Sequence, residues 1–368
     1  MTGQHKGLAR ISLGPVSSFE WCKGARRPTL RSFCWPAAAL TLLAVLFMGC
    51  KRSGQSEQVQ SEQVVMGDVP SGGSPSARWQ PVAADFVVPK DAAPAPRVDG
   101  KRAMQYVRET VGFGSRPIGS AAHRKLEAYI HQKLTAWHVA VADDAFTAKT
   151  AAGSYPIRNI IAKFPGKKDG IIVVAGHYDT NLPLPKSYVG ANDGGSSTGL
   201  LLELADVLRG RQMEGYSVWL VWMDGEEATV SWSDTDSLYG SRHLAQLWQE
   251  DGTAKKIKAF LLVDMVGDAD LNIDRDLNST VWLEDLVKDA ATRLGYQSHF
   301  FARQISIEDD HLPFAKIGVP AADLIDFDYG YDNVFHHTPQ DTLDKLSPNS
   351  LQIVGDTVLE TIRALDAH

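Results

Sequence analysis

Cysteine is scarce, and its placement matters more than its number. The chain has three, Cys22, Cys34 and Cys50. Nothing after residue 50 can therefore form a disulfide or attack through a thiol. Positive charge is scarce too: 37 Lys and Arg stand against 44 Asp and Glu, a net charge of −7. No block of like charge marks the C-terminal part. This excludes the basic face that nucleic-acid binding usually needs, and the acidity serves solubility. The 368 residues and 44% hydrophobic content suffice for one large or two ordinary domains.

The first fifty residues differ from the rest. Arg26, Arg27 and Arg31 precede "FCWPAAALTLLAVLFMGC", Phe33 to Cys50. A charged stretch, an apolar core and small Gly49 beside a cysteine resemble a bacterial lipoprotein signal peptide, with Cys50 as the lipidated residue. The other reading is a membrane anchor, although the run is marginal against the about 20 residues a span requires. Either way the remainder is expected outside the cytoplasm, held at a membrane. Residues 51–96 contain a SEQV repeat and much Ser, Gly, Gln and Pro. That composition cannot bury a core, so a flexible tether is expected there. The folded domain is expected over 97–368.

In that domain, strand and helix patterns alternate. "RNIIAKF", "GIIVVAGHYD", "SVWLVWMD", "IKAFLLVDMVG" and "AADLIDF" read as strands. "KRAMQYVRETVGF", "AAHRKLEAYIHQKLTAW", "SSTGLLLELADVLRG", "SLYGSRHLAQLWQE" and "TVWLEDLVKDAATRLG" read as helices. A last helix starts at Ser347, the expected cap, with Pro348 in its first turn. Alternation of this kind predicts an α/β three-layer sandwich around a mixed, mostly parallel sheet. Ligands of such sheets bind beyond the carboxyl ends of the strands.

Those ends carry the chemistry. His177 and Asp179 end one strand, Asp224, Glu226 and Glu227 a second, and Asp264 a third. Asp193 leads into a helix. Carboxylates and imidazoles crowded on one rim repel one another and lose hydration. A divalent cation removes that cost, and Asp, Glu and His have the hardness zinc prefers. His177, Asp193, Glu227, Asp264 and His337 are the candidate ligands. Glu226, beside a ligand, is the candidate proton carrier.

"GHYDT", "GANDGGSSTG", "DGEEA", "LVDMVG" and "HHTPQDTLDKL" resemble, in order and spacing, the zinc aminopeptidase superfamily, which implies a zinc exopeptidase-like fold. "DGEEATVSWSDTDSLYGSRHLA" and "IEDDHLPFAKIGVP" are similar to glutaminyl-peptide cyclotransferases within it. The resemblance runs from about residue 100 to the end. It implies one zinc on Asp193, Glu227 and His337, with Glu226 as general acid/base. Asp264 and Asp309 would share its proton, and Trp232 would wall the substrate pocket. The implied reaction takes a peptide with N-terminal glutamine. The α-amine attacks the γ-carbonyl carbon, ammonia leaves, and a pyroglutamyl peptide results. Intramolecular attack already has proximity in its favour.

Two other functions stay open. His177 and Asp264 match the second-metal ligands of two-zinc aminopeptidases, so ligand identity does not count the ions. The same scaffold could also be an inactive binding protein. Animal cyclases carry Trp where this chain has His336, and a His near Asp323. Their cysteine pair near the His-x-Asp strand is missing. Tyr329, Tyr331 or Phe335 are the candidates to replace that aromatic wall, with loop packing the other reading of each, and His336 is a further candidate on the substrate side. His311 is expected to position the Asp309 loop. His123, His131, His138, His243 and His299 read as surface or packing residues. A monomer is expected.

Overall fold

The run Ile171 to Ala175 is fully apolar and buried. A strand apolar on both faces has to be covered on both. It forms the middle of β3 (Gly166–His177), which lies inside the sheet between β4 (Met213–Met223) and β5 (Ile257–Asp264), parallel to each. Beyond β5 comes β8 (Ala321–Ile325), also parallel. On the other side β2 (Gly153–Phe164) runs antiparallel to β4 and pairs with the edge strand β1 (Ala140–Thr150). The six-stranded order is β1-β2-β4-β3-β5-β8. The computed structural model describes residues 86–90 and 92–368.

Strand side chains alternate between two cores, as pleating requires. Ile172, Val174, Leu220 and Leu261 face one core, shared with α1 (Gly100–Val111), α2 (Ala121–Ala136), α3 (Gly195–Leu208), α5 (Val281–Leu294) and α7 (Pro348–Asp366). Val173, Val221, Phe260 and Leu262 face a smaller one. It is closed by α4 (Tyr239–Glu250) and the short α6 (Leu312–Lys316). The three layers and mostly parallel sheet are those the sequence predicts. The Ser347 hydroxyl caps α7 by accepting from the Asn349 amide at 3.1 Å, and Gly295 ends α5 at φ 79°.

Three strands go beyond the sequence reading. β1 is at the edge and buries only Asp144 and Ala148, so it has no apolar alternation to betray it. β6 (Ile273–Asp276) and β7 (Phe300–Ile305) are short and form a separate parallel pair.

The leader, residues 1–50 with all three cysteines, and the tether up to residue 85 lie outside the described residues. Among the described residues no helix is long and apolar enough to cross a membrane. Ordered packing starts upstream of Arg97: Phe86 is buried, stacked on Trp282 with ring centres 5.2 Å apart and tilted against His368 at 4.7 Å.

The register brings the strand ends level. His177 pairs with Met223, and Asp264 with Ile325. The loops that follow all open on one rim.

The thinner core depends on one ring. Phe314 is fully buried and stacks on Phe260 at 4.2 Å, with Trp248 at 5.5 Å. Phe314→Ala should cost about 3–5 kcal/mol of unfolding free energy, read as a lower denaturant midpoint at unchanged slope.

Candidate metal-dependent active site

Asp193 is the centre of the rim. It sits just before α3, in a turn that demands glycine on its far side. Gly194 has φ 70°, and a Cβ there would lie 2.6 Å from the Asp179 carbonyl oxygen and 3.0 Å from the His177 ring. One carboxylate oxygen, Oδ1, is 3.0 Å from His177 Nε2, which is itself 3.2 Å from Asp264 Oδ1. The other, Oδ2, is 3.3 Å from His337 Nε2, which is 3.2 Å from Glu227 Oε1. A single carboxylate therefore serves two donor sets. The first holds Asp193, Glu227 and His337, and the second His177, Asp193 and Asp264.

These sets fit a metal ion. Bonds of about 2.0–2.2 Å from zinc to N and O put neighbouring tetrahedral ligands about 3.3–3.5 Å apart. The observed separations of 3.2 and 3.3 Å around His337 Nε2 are close to that. Both ring nitrogens of His177, fully enclosed, lack an aligned hydrogen bond. The ligand atoms of His177, Asp193 and Asp264 all lie within 4.8 Å of one another, as do those of Asp193, His336 and His337. Either imidazole of the His336–His337 pair thus reaches Asp193. His337 is the one that contacts both Asp193 and Glu227. Its φ of 53° is a left-handed backbone costly for a non-glycine residue.

The surrounding residues hold these groups by their backbones. Asp179 accepts the amides of Glu226 at 3.2 Å and Glu227 at 3.4 Å. Asn181 donates to Glu227 Oε2 at 2.8 Å, and the Tyr188 hydroxyl donates to Asp193. Asp341 accepts the amides of Asn192 at 2.8 Å and Asp193 at 3.3 Å. Below them the fully buried Arg116 guanidinium donates to the carbonyls of Tyr178, Val189 and Gly190, tying together the loops that bear Asp179 and Asp193. Nothing in the sequence flagged Arg116, because its partners are carbonyls of distant loops.

Charge is only partly offset within the cluster. Burial would raise the Asp193 carboxyl, but contacts with His177 and His337 overcome it and hold it well below the usual range. His177 is pushed well above its ordinary value: burial opposes this, but Asp264, Asp179 and Asp193 outweigh it. His337 is pushed up to about 11, where Glu227 and Asp193 prevail over burial. Glu226 behaves oppositely. Burial lifts its carboxyl well above the normal range, and Glu227, Asp309 and Asp310 add to the lift against His177, 3.8 Å away. Asp309 is raised in the same way, by burial and then by Asp264 and Asp310.

Other expected residues fall unevenly. Trp232 is half-buried on the loop between Glu227 and α4. Asp236 orders that loop by accepting the amides of Thr229, Val230 and Ser231 at 2.8–3.0 Å. His336 is half-buried and stacks on His337 at 3.8 Å. Tyr329 requires correction as a substrate contact. It has no exposed surface, and its hydroxyl donates to Asp341 at 2.8 Å, so it braces the Asp193 loop from inside. His311 lies 3.0 Å from Asp276, fully buried beneath the Asp309 turn. His123 is not a bystander: it is buried, with Nε2 2.6 Å from Asp224 Oδ1.

Known proteins resemble this arrangement. The profile of peptidase family M28 matches residues 159–362. A glutaminyl-peptide cyclotransferase-like protein of Bos taurus is 34% identical over 226 residues, 54% of this chain and 58% of the relative. The chain thus spans less than two thirds of that relative's length. The crystal structure of an Acidobacteriales bacterium glutaminyl cyclase is 52% identical with a TM-score of 0.72, covering 76% of this chain and 98% of that one. A leucine aminopeptidase precursor from Bacteroides thetaiotaomicron is 26% identical with a TM-score of 0.65, covering 75% and 99%.

Because Asp193 serves both donor sets, Asp193→Ala should empty both, whereas His177→Ala should affect only one. After dialysis against micromolar metal, elemental analysis should find less than about a tenth of the wild-type divalent metal in Asp193→Ala and a larger residue in His177→Ala.

Proposed function

The chain belongs to peptidase family M28, among the glutaminyl-peptide cyclotransferases, and on that premise we propose that it converts the N-terminal glutamine of peptides to pyroglutamate, releasing ammonia. The observation that carries this reading is Glu226. It is a buried carboxyl with a raised proton affinity, beside a metal-ligand cluster, with a second such carboxyl, Asp309, among the groups raising it.

Asp193, Glu227 and His337 would hold zinc, which when bound supplies Lewis-acid polarisation of the glutamine γ-carbonyl. The α-amine nitrogen bonds to the γ-carbonyl carbon, and the bond from that carbon to the amide nitrogen breaks. Glu226 takes the proton the amine loses and returns it to the leaving nitrogen, which departs as ammonia. A carboxyl raised towards neutrality suits both halves of that exchange better than one ionised at pH 4. Asp264 and Asp309 provide neighbours over which the proton is shared. Trp232 on its ordered loop, with His336, supplies the wall against which an uncharged side chain rests. The composition of residues 1–50 supports export and attachment through Cys50, which would put the reaction outside the cytoplasm.

The second donor set, His177 with Asp193 and Asp264, favours one other reading, a two-metal aminopeptidase in which Glu226 activates water. The products separate the two. The full chain, stripped of metal and titrated with zinc, should release ammonia and a pyroglutamyl peptide from Gln-peptides and no free leucine from Leu-peptides. Free leucine without ammonia would reverse the assignment. Glu226 works as a base when ionised and its carboxyl is raised, so kcat should climb with pH through that raised value. Glu226→Gln should lose about 10²–10⁴-fold and the climb with it.

A further inference from the structure

One histidine without motif support lies buried against the strand ends. His123 is on α2, well upstream of every motif, and its ring is enclosed to 1% exposure. Nε2 lies 2.6 Å from Asp224 Oδ1, and Nδ1 lies 3.3 Å from Glu127 Oε1. The ring of Tyr178 stacks on it with centres 5.1 Å apart and planes 21° from parallel. Burial alone would keep this imidazole neutral, but Asp224 and Glu127 outweigh it. Other charges nearby are Arg158 on β2, 3.6 Å from Glu127, and Asp179, which also favours the cation. His123, Glu127 and Asp224 have the residue types of a metal site. A separation of 2.6 Å between Nε2 and Oδ1 is that of one charge-assisted hydrogen bond, so it is a proton that joins them.

Asp224 is the first residue after β4. Its carboxylate is fully buried. One oxygen goes to His123, and the other accepts the Arg158 amide at 2.7 Å. Its own amide donates to Asn159 Oδ1 at 3.0 Å. After it comes Gly225 at φ 65°, where a Cβ would sit 2.9 Å from Ile157 Cδ1. Glu226 and Glu227 follow at once. Tyr178 lies between His177 and Asp179, and its amide donates to the Met223 carbonyl at 3.1 Å. One imidazole therefore braces both strand ends, β4 through Asp224 and β3 through Tyr178. A buried carboxylate deprived of its cation is strongly destabilised, and the backbone that moves to relieve it is the one carrying Glu226 and Glu227.

We infer that His123 is a positioning residue of the active site: its ion pair with Asp224 fixes the turn that places Glu226 and Glu227. The inference rests on the proposed reaction for its kinetic readout only. His123 touches no reacting group, so its removal should change how often the turn is correctly placed and leave substrate affinity nearly intact. Misplacement of about 1 Å costs about 10²-fold in rate.

The test compares three full-length, zinc-saturated variants well below their melting temperatures: His123→Ala, His123→Gln, and Ile130→Ala, a buried α2 core residue outside the site. Ammonia release from a Gln-peptide gives kcat and KM, and hydrogen exchange gives the opening of the 225–227 amides. We expect His123→Ala to lower kcat about 10- to 100-fold with KM within about twofold, and to speed exchange at Glu226 and Glu227 but not in the middle of β3, Ile171 to Ala175. His123→Gln, which keeps a donor towards Asp224, should recover most of kcat. Ile130→Ala should leave kcat unchanged despite its loss of stability. A His123→Ala kcat within twofold of wild type, or equal loss in Ile130→Ala, would overturn the inference. Should the wild type release no ammonia, the proposed reaction fails and exchange alone decides. Faster exchange in His123→Ala keeps the positioning role, and unchanged exchange removes it.

Discussion

Like charges have to be held together out of water, and most of the structure answers to that constraint. Asp179, Asp193, Asp224, Glu226, Glu227, Asp264 and Asp309 are all buried at one end of one sheet. An isolated ion in such a place costs several kcal/mol. No single partner could offset those of the seven that ionise, and burial pushes Glu226 and Asp309 towards the neutral form instead. The fold instead spreads the neutralisation over several kinds of group. Imidazoles at 177 and 337 face the carboxylates of the two donor sets, an imidazole at 123 faces the β4 turn, and a guanidinium at 116 lies beneath the loops. Amides do much of the rest, with Asp179 and Asp341 each accepting two from the loops they hold.

The same constraint explains why the loops are stiff. A carboxylate that accepts backbone amides fixes its neighbours' conformation as well as its own charge. Asp236 does this for the Trp232 loop, taking three successive amides, a hydroxyl from Thr229 and another from Tyr239. Left-handed backbone at Leu238, Met265 and His337 falls at or beside these loops. Such conformations persist only where neighbouring contacts determine them.

What the sequence disclosed follows from what each feature depends on. Strands β3, β4 and β5 were legible because burial on both faces demands unbroken apolar runs. β1 was not, since an edge strand with Asp144 turned inward has no apolar period. The candidate ligand residues stood out because strand ends put them in order along the chain. Their supports did not. Arg116 bonds to carbonyls, which any sequence supplies. His123 meets Asp224 across 101 positions, with no spacing rule to predict it. Tyr329 stood open between substrate wall and loop packing, because an aromatic next to such a loop looks the same in sequence whether it faces a substrate or, as here, a buried carboxylate.

Phe86 settles a matter of orientation. Its partners are Trp282, at the start of α5, and His368, at the end of the chain. The residue before α5, Thr280, bonds to Ala321, where β8 begins, and Asp366 near the chain end accepts the amide of Tyr216, early in β4. Both mark the amino ends of parallel strands, the pole opposite Asp193. Phe86 therefore packs at the end of the sheet that Asp193 does not occupy, and the whole length of the parallel strands separates that ring stack from the carboxylate cluster.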